Sequence, residues 1–350
     1  MEKPVLIIAE AGVNHNGSLS MAKELIDCAS DAGADIVKFQ TFKADNLVTK
    51  TAEKAEYQKI NTHSNTSQYS MLKELELSEK MHDELISYCA QKKIEFLSTP
   101  FDIEAAKYLQ DKVQMWKIPS GELTNFPFLK FLASTNLPIV LSTGMATLDE
   151  VIDSVEYIKG NQSMRNITNR RKMTPLSVLH CTTSYPTALE DINLRAMCMM
   201  QNSLGLPIGL SDHSLGIIAS LAAVAMGATI IEKHFTLDKK LPGPDHEASL
   251  DPNELKQLVK GIRDIELAFG SGIKGPANAE ILNIKVARKS LYYTRSINRG
   301  EVLKVDDVKI VRPGGGMSPK YFDSVVGKKL IKNVEPEQPI QLSDFGEADL

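Results

Sequence analysis

Two histidines, His213 and His234, stand in the runs Leu210-Ser211-Asp212-His213 and Glu232-Lys233-His234-Phe235, each directly behind a short apolar segment. Imidazoles at adjacent strand ends can converge on one cation and leave coordination positions open for water and substrate. That geometry suits Lewis-acid catalysis by Mn²⁺, Mg²⁺ or Zn²⁺. No cysteine ligands accompany the pair, so a structural zinc is disfavoured. Taken singly, either histidine could instead be a general base or a hydrogen-bond partner. His15 is a third candidate, read first as a cap or loop residue, and His63, His82 and His246 read as surface or loop residues.

Lys38 and Lys117 also close apolar runs, and two ammonium groups aimed at one place suggest an anionic ligand. Ser142-Thr143-Gly144 offers hydroxyls and backbone N–H groups where a helix should begin, a cradle for phosphate or carboxylate. A Schiff-base lysine is the rival reading and would require one ammonium to be kept neutral. Glu10, Glu122 and Asp245 are the carboxylates expected nearby, either as ion-pair or capping groups or as proton relays and sugar hydroxyl partners. Cys181, beside the strand-six run, reads as a small buried apolar residue rather than a nucleophile.

These residues need a scaffold that gathers strand ends. Short apolar runs at Val5–Ala9, Ile36–Phe39, Glu95–Ser98, Met115–Ile118, Ile139–Leu141, Ser177–His180, Pro207–Gly209 and Thr229–Glu232 alternate with helix-length segments. The first helix follows Ser18 as N-cap, with Leu19, Ala22, Leu25, Ile26 and Ala29 on one face; the last carries Leu255, Leu258, Val259, Ile262, Ile265 and Phe269 at the same spacing. Eight strand–helix repeats are the count of a (β/α)8 TIM barrel, whose functional residues lie at the C-terminal strand ends. An open doubly wound sheet is the competitor, lowered by the lack of GxGxxG after any strand. The polar stretch 45–78 is too long for a plain strand–helix loop and is expected to shape substrate access.

The barrel should occupy residues 1–270 and a linker 271–284, beginning Ser271-Gly272-Ile273. Residues 285–350, with a turn at Asn298-Arg299-Gly300-Glu301 and the run Arg312-Pro313-Gly314, read as a small β-rich domain. The formal net charge of −4, with both signs mixed, argues against nucleic-acid or membrane-surface binding. No apolar run reaches a membrane span, no signal-peptide pattern opens the chain, and the four cysteines show no CxxC spacing, so a cytoplasmic protein is expected.

The ordered motifs Ile8-Ala9-Glu10, Asn14-His15-Asn16-Gly17, Val37-Lys38-Phe39-Gln40-Thr41, Ser98-Thr99-Pro100-Phe101, Lys117-Ile118-Pro119-Ser120-Gly121-Glu122, Leu141-Ser142-Thr143-Gly144-Met145, Ser211-Asp212-His213, Glu232-Lys233-His234-Phe235 and Gly243-Pro244-Asp245-His246 together resemble the bacterial sialic acid synthases. The tail looks like their C-terminal antifreeze-like (SAF) domain. The resemblance implies a TIM barrel plus a SAF domain, a homodimer with the SAF domain swapped, and a divalent metal ion (Mn²⁺ or Mg²⁺) on His213 and His234. It further implies condensation of phosphoenolpyruvate with N-acetylmannosamine, with release of phosphate by C–O cleavage. Lys117, Ser120, Ser142, Thr143, Gly144 and Ser211 then take phosphoenolpyruvate contacts, while Gln40, Glu122, Tyr185 and Asp245 fall where the sugar is held. Glu10, Lys38 and Thr99 complete the polar lining, and Arg312 reaches the sugar from the small domain of a second subunit. Thr183, two residues before Tyr185, stands where some members carry Asn. Alternatives are a legionaminic or pseudaminic acid synthase acting on a 2,4-diacetamido-trideoxyhexose, and a catalytically idle sugar-binding barrel.

Overall fold

The computed structural model describes residues 4–62, 66–162 and 173–346, which leaves His63 outside the described residues. The chain forms two compact units, Met1–Gly270 and Ser271–Leu350.

In the first unit eight parallel strands run β1 (Leu6–Gly12), β2 (Ile36–Thr41), β3 (Glu95–Pro100), β4 (Trp116–Ile118), β5 (Ile139–Ser142), β6 (Leu176–Cys181), β7 (Ile208–Asp212) and β8 (Ile230–His234). They are hydrogen-bonded in the order β3-β2-β1-β8-β7-β6-β5-β4, and β3 lies beside β4 at the seam, so the sheet is a nearly closed barrel of the TIM type. The apolar runs locate every strand, but most reach further towards the C-terminal end than hydrophobicity alone suggests. The polar residues there still pair in the ladder: Glu10 sits opposite Lys38 on one side and His234 on the other. The β6–β7–β8 approach is close enough at Gly209 that an added Cβ would lie 2.3 Å from the Ile230 carbonyl oxygen, so only glycine fits.

The helices after β1 and β2 are α1 (Leu19–Ala32), α2 (Ala44–Leu47), α3 (Glu56–Thr62), α4 (Gln68–Glu74) and α5 (Glu79–Lys92). Then come α6 (Ile103–Leu109), α7 (Phe126–Ser134), α8 (Leu148–Asn161), α9 (Arg195–Leu204), α10 (Ile218–Ala225) and α11 (Pro252–Ala268), one after each remaining strand. Ser18 caps α1 by accepting from the Met21 N–H, and Asp251 forms a reciprocal capping box with Glu254 in front of Pro252 on α11. The inner faces of these helices bury Leu25, Ile26, Leu85, Leu129, Leu132, Ile158, Leu255 and Leu258 against the strands, with fully buried Trp116 anchored by Nε1–H donation to Thr135 Oγ1 at 2.7 Å.

The excursion 45–78 differs from the polar loop expected. It folds into α2, α3 and α4, and its apolar side builds a second small core from Val13, Phe42, Met71 and Leu75, with Leu47, Leu72 and Phe101 packed on it. The apolar residues are too few and too widely spaced in a polar stretch to register as periodicity. Two histidines read as surface residues, His82 and His246, are fully buried. His82 Nε2 bonds to Thr41 Oγ1, and His246 bridges Thr236 and Asn16.

The second unit opens with α12 (Asn278–Ala287), so the second half of the segment expected to be a linker is helical. Glu280 accepts from the Ala277 N–H at its start. An antiparallel pair, β9 (Ser290–Tyr293) and β10 (Val308–Val311), and isolated bridges such as Ile297–Val334 enclose a core of Leu291, Tyr293, Ile297, Leu303, Leu330, Ile340 and Phe345. The turn at 298–301 forms, closed by Glu301 N–H donation to the Asn298 carbonyl.

Candidate active site

Side chains two apart on a strand share a face, and this period places the chemistry. Lys38 and Gln40 on β2, Ser211 at the end of β7 with His213 beyond it, and Glu232 and His234 on β8 are such pairs; all of them, with Glu10, Thr99, Lys117 and Ser142, line a cavity of ≈310 Å³ within the barrel unit.

Its floor is an ionic cluster. Lys38 Nζ lies 3.1 Å from Glu10 Oε2 and 3.0 Å from Glu232 Oε2, and donates to Thr99 Oγ1 at 3.1 Å. Lys117 Nζ lies 3.2 Å from Glu232 Oε1, which also accepts from Ser211 Oγ at 2.9 Å. Gln40 Nε2–H donates to Glu10 Oε1 at 3.3 Å. All four ionic residues are at most 4% exposed, so the cations have little water and depend on these carboxylates for partners. Burial opposes ionisation of Glu232, but Lys117 and Lys38 outweigh it and hold the carboxyl well below the usual range. Burial pushes Glu10 up to about 7, reinforced by Glu232 and resisted by Lys38 and Lys117. Burial also lowers Lys117, with Lys38 adding to that effect, whereas the two carboxylates overcome burial at Lys38 and raise it.

Beside the floor, the rings of His213 and His234 lie 5.4 Å apart between centroids at 57°. His213 Nδ1–H donates to the Thr182 carbonyl at 2.7 Å, the tautomer that leaves the Nε2 lone pair for another partner. His234 Nδ1 is buried without a hydrogen-bond partner, its nearest carboxylate oxygen, Asp245 Oδ2, being 3.9 Å away. Burial, and His213 after it, push His234 well below the usual imidazole range and keep it neutral. Burial pushes Asp245 up to about 6. An orphaned buried nitrogen next to a second imidazole of fixed tautomer fits two-point attachment of a divalent ion with open positions. Among the described residues no set of three or more His, Cys, Asp or Glu side chains has metal-site geometry. Tyr185 covers the pair, 4.0 Å from the His213 ring and edge-on to His234 at 5.6 Å, and Tyr57 of α3 stacks on Tyr185 at 5.0 Å.

The third corner holds Ser120, Ser142, Gly144 and Thr183. Ser142 Oγ is buried without a partner, so a hydroxyl is left for a ligand. The expected cradle differs in detail. The helix α8 begins only after Thr147, so 142–144 is not a helix N-terminus. The Thr143 N–H and Oγ1 both donate to the Leu179 carbonyl, and the Gly144 N–H donates to Ser120 Oγ at 2.9 Å. Thr143 is thus turned to the strand backbone, not the cavity, and Gly144 acts through its lack of a side chain: a Cβ there would lie 2.1 Å from Thr183 Oγ1.

Glu122 is not brought into the cavity lining. The chain leaves β4 in a 3₁₀ turn, Ser120–Glu122, which breaks the strand period, and Glu122 Oε2 accepts from Asn125 Nδ2 at 2.6 Å instead. Arg312, exposed after β10, belongs to the second unit. Glu232 and Cys181 line the cavity although neither is assigned a role there from sequence. Glu232 was masked by the more evident His234, although its position two residues earlier on the same face could have revealed it. Cys181, expected only to pack, lines the cavity with Sγ 3.8 Å from His213 Nδ1.

A barrel with lysine, carboxylate and imidazole groups gathered at its strand ends belongs to the enzymes, and the chain's relatives give the class as sugar-acid synthases. Residues 25–274 match the NeuB family and residues 288–346 the SAF domain, and the chain belongs to the NeuB family. It is 48% identical over 332 residues to an N,N'-diacetyllegionaminic acid synthase of Legionella pneumophila, covering 94% of this chain and 91% of the relative. It is 47% identical to that of Campylobacter jejuni, covering 97% and 99%. The solved N-acetylneuraminic acid (sialic acid) synthetase of Leptospira borgpetersenii, in complex with citrate, superposes with a TM-score of 0.68 at 35% identity, over 81% of this chain and 90% of that one. Membership of the sialic acid synthase family is therefore as expected. The expectation of N-acetylmannosamine as the sugar has support at the level of the family only; the higher identities favour the diacetamido alternative. Among the described residues no helix is long and apolar enough to cross a membrane.

Proposed function

We propose that this protein condenses phosphoenolpyruvate with a 2,4-diacetamido-trideoxyhexose and water, giving N,N'-diacetyllegionaminic acid and phosphate. The observation that carries the reading is the Lys38–Glu232–Lys117 cluster lying in one cavity with the His213–His234 pair. The choice of sugar is supported by the identity to the two diacetyllegionaminic acid synthases.

Lys38 and Lys117 supply the positive charge that a small phosphorylated carboxylate needs. Lys38, Lys117 and Glu232 together carry one net positive charge, and Ser142 Oγ adds an unused donor. Glu232 fixes both ammonium groups while Ser211 holds its own carboxylate. A divalent ion (Mn²⁺ or Mg²⁺) held by His213 and His234 supplies Lewis acidity towards the sugar aldehyde. C3 of phosphoenolpyruvate forms the new bond to the aldehyde carbon, water adds at C2, and the C2–O bond to phosphate breaks. The water proton passes to Glu10, whose pKa near neutrality suits gaining and losing it; Glu122 is turned away from this role. Tyr185 lies against both imidazoles with Tyr57 stacked on it, and the two rings shield that side of the pair from water. Holding two substrates face to face in a dry cavity contributes up to ~7–11 kcal/mol in ideal cases. A homodimer with exchanged SAF domains, bringing Arg312 of a second copy to the sugar, completes the proposal.

The test is phosphate release on mixing protein, Mn²⁺, phosphoenolpyruvate and a panel of hexosamines. Turnover with the diacetamido sugar exceeding that with N-acetylmannosamine is expected. No sugar-dependent phosphate release with any member would overturn the reading.

A further inference from the structure

The floor and one wall of the cavity differ in chemistry. The floor is charged, but the side built by the 45–78 excursion presents Leu47, Val48, Met71, Leu72 and Leu75, joined by Phe101 after β3. Met71 and Leu75 are buried in the small core behind the wall, whereas Leu47, Val48 and Leu72 stay half-buried and face the cavity. Beside them Gln68, at the start of α4, donates from Nε2 to Gln58 Oε1 at 3.4 Å, and its carboxamide oxygen has no partner among the described residues. The wall is fixed to the rest of the cavity: Asn61 Nδ2 donates to the Pro244 carbonyl at 2.7 Å, next to Asp245.

We infer that this wall is a subsite for the non-reacting end of the acceptor sugar, taking the 6-methyl group and the C4 acetamido group of a 6-deoxy diacetamido hexose. The inference rests on the proposed condensation reaction and deepens it. A hexose with a hydroxyl at C6 would have to desolvate it against Leu72 and Val48 without a hydrogen bond from either in return. A methyl group at C6 gains by leaving water, and at C4 the Gln68 oxygen can accept from an acetamido N–H while the acetyl methyl packs on the wall. The wall therefore selects by rejecting hydroxyls as much as by attracting methyls.

The test measures kcat/KM for the diacetamido sugar and for N-acetylmannosamine with the wild type, L72Q and V48T. The ratio should fall ~10-fold or more in L72Q and less in V48T, within the span known for one apolar group in a pocket. The change should appear in the KM for the diacetamido sugar, with the KM for phosphoenolpyruvate and the Tm unmoved. V48T is nearly isosteric and decides the matter if L72Q does not fold. A wild type that prefers the diacetamido sugar with a ratio unmoved in both folded variants would overturn the subsite and leave the proposed reaction standing. A wild type that prefers N-acetylmannosamine would overturn the sugar assignment and the subsite together, but not the condensation chemistry.

Discussion

Lys117 Nζ lies 3.2 Å from Glu232 Oε1, and both side chains are withdrawn from solvent. Glu232 serves Lys38 at the same time, so one carboxylate on β8 sets the position of two cations, from β2 and β4. Replacing it with an isosteric amide should therefore do more than remove one contact. In E232Q, kcat for phosphate release should fall on the order of 10²-fold or more, as for loss of a preorganised charged group. Breaking a buried pair should also cost about 3–5 kcal/mol of stability, read as a lower Tm. Wild-type kinetics in E232Q would remove the residue from the site's machinery.

The two imidazoles differ in their second nitrogen, and this gives a separate expectation. His213 is oriented by the Thr182 carbonyl, whereas His234 has no such support and presents an orphaned Nδ1. H213A and H234A should each abolish binding of Mn²⁺, followed by the electron paramagnetic resonance signal of the free ion, while leaving the circular dichroism spectrum unchanged. Undiminished Mn²⁺ binding in both variants would separate the pair from any metal.

Gly144 offers a geometric test of the third corner. A Cβ at this position would meet Thr183 Oγ1 at 2.1 Å and Ser120 Oγ at 2.9 Å. G144A should displace both hydroxyls and lower kcat/KM by on the order of 10²-fold, a cost typical of ångström-scale misplacement. The double variant G144A/T183A should recover part of the loss, since the worse clash is gone, and the non-additivity measures the contact. Equal losses in the single and double variants would show that the clash is not relieved through Thr183.

Much of this site is legible in the chain because the barrel turns a period of two into a direction. Glu10, Lys38, Lys117, Ser211, His213 and His234 follow apolar runs, and the inward face of each strand carries them to one place. Where the period stops, so does the inference. Glu122 lies in a 3₁₀ turn that takes it off the strand period, and Thr143 directs its hydrogen bonds to β6. The 45–78 wall is invisible as a pattern because its helices are short and carry few apolar residues each. His82 and His246 are buried by partners distant in sequence, Thr41 and Asn16 among them, which no local reading supplies.

His15, buried like His246, joins it in giving the fold a pH dependence. Burial lowers His15 and His246 from 6.5 to about 4, so the folded state favours the neutral rings. As pH falls below 6.5 the unfolded chain takes up protons that the folded chain refuses, and stability is lost progressively until about pH 4. The histidine contribution to Tm is flat above this window and falls within it. Glu10 and Asp245 contribute in the opposite sense, since their raised carboxyls favour the folded state as pH falls, so the comparison with a histidine variant isolates the histidine part. H246Q, although less stable at neutral pH, should show a shallower fall. Parallel curves for wild type and H246Q would exclude His246 as a source of the acid sensitivity.

The reaction itself is tested most directly by isotope. Phosphoenolpyruvate carrying oxygen-18 in the bridging position is turned over with Mn²⁺ and the diacetamido sugar, and both products are weighed by mass spectrometry. Cleavage of the C2–O bond sends the label into phosphate, which is the expected result; label retained in the sugar acid would mean P–O cleavage and would contradict the chemistry assigned to the Lys38–Glu232–Lys117 cavity.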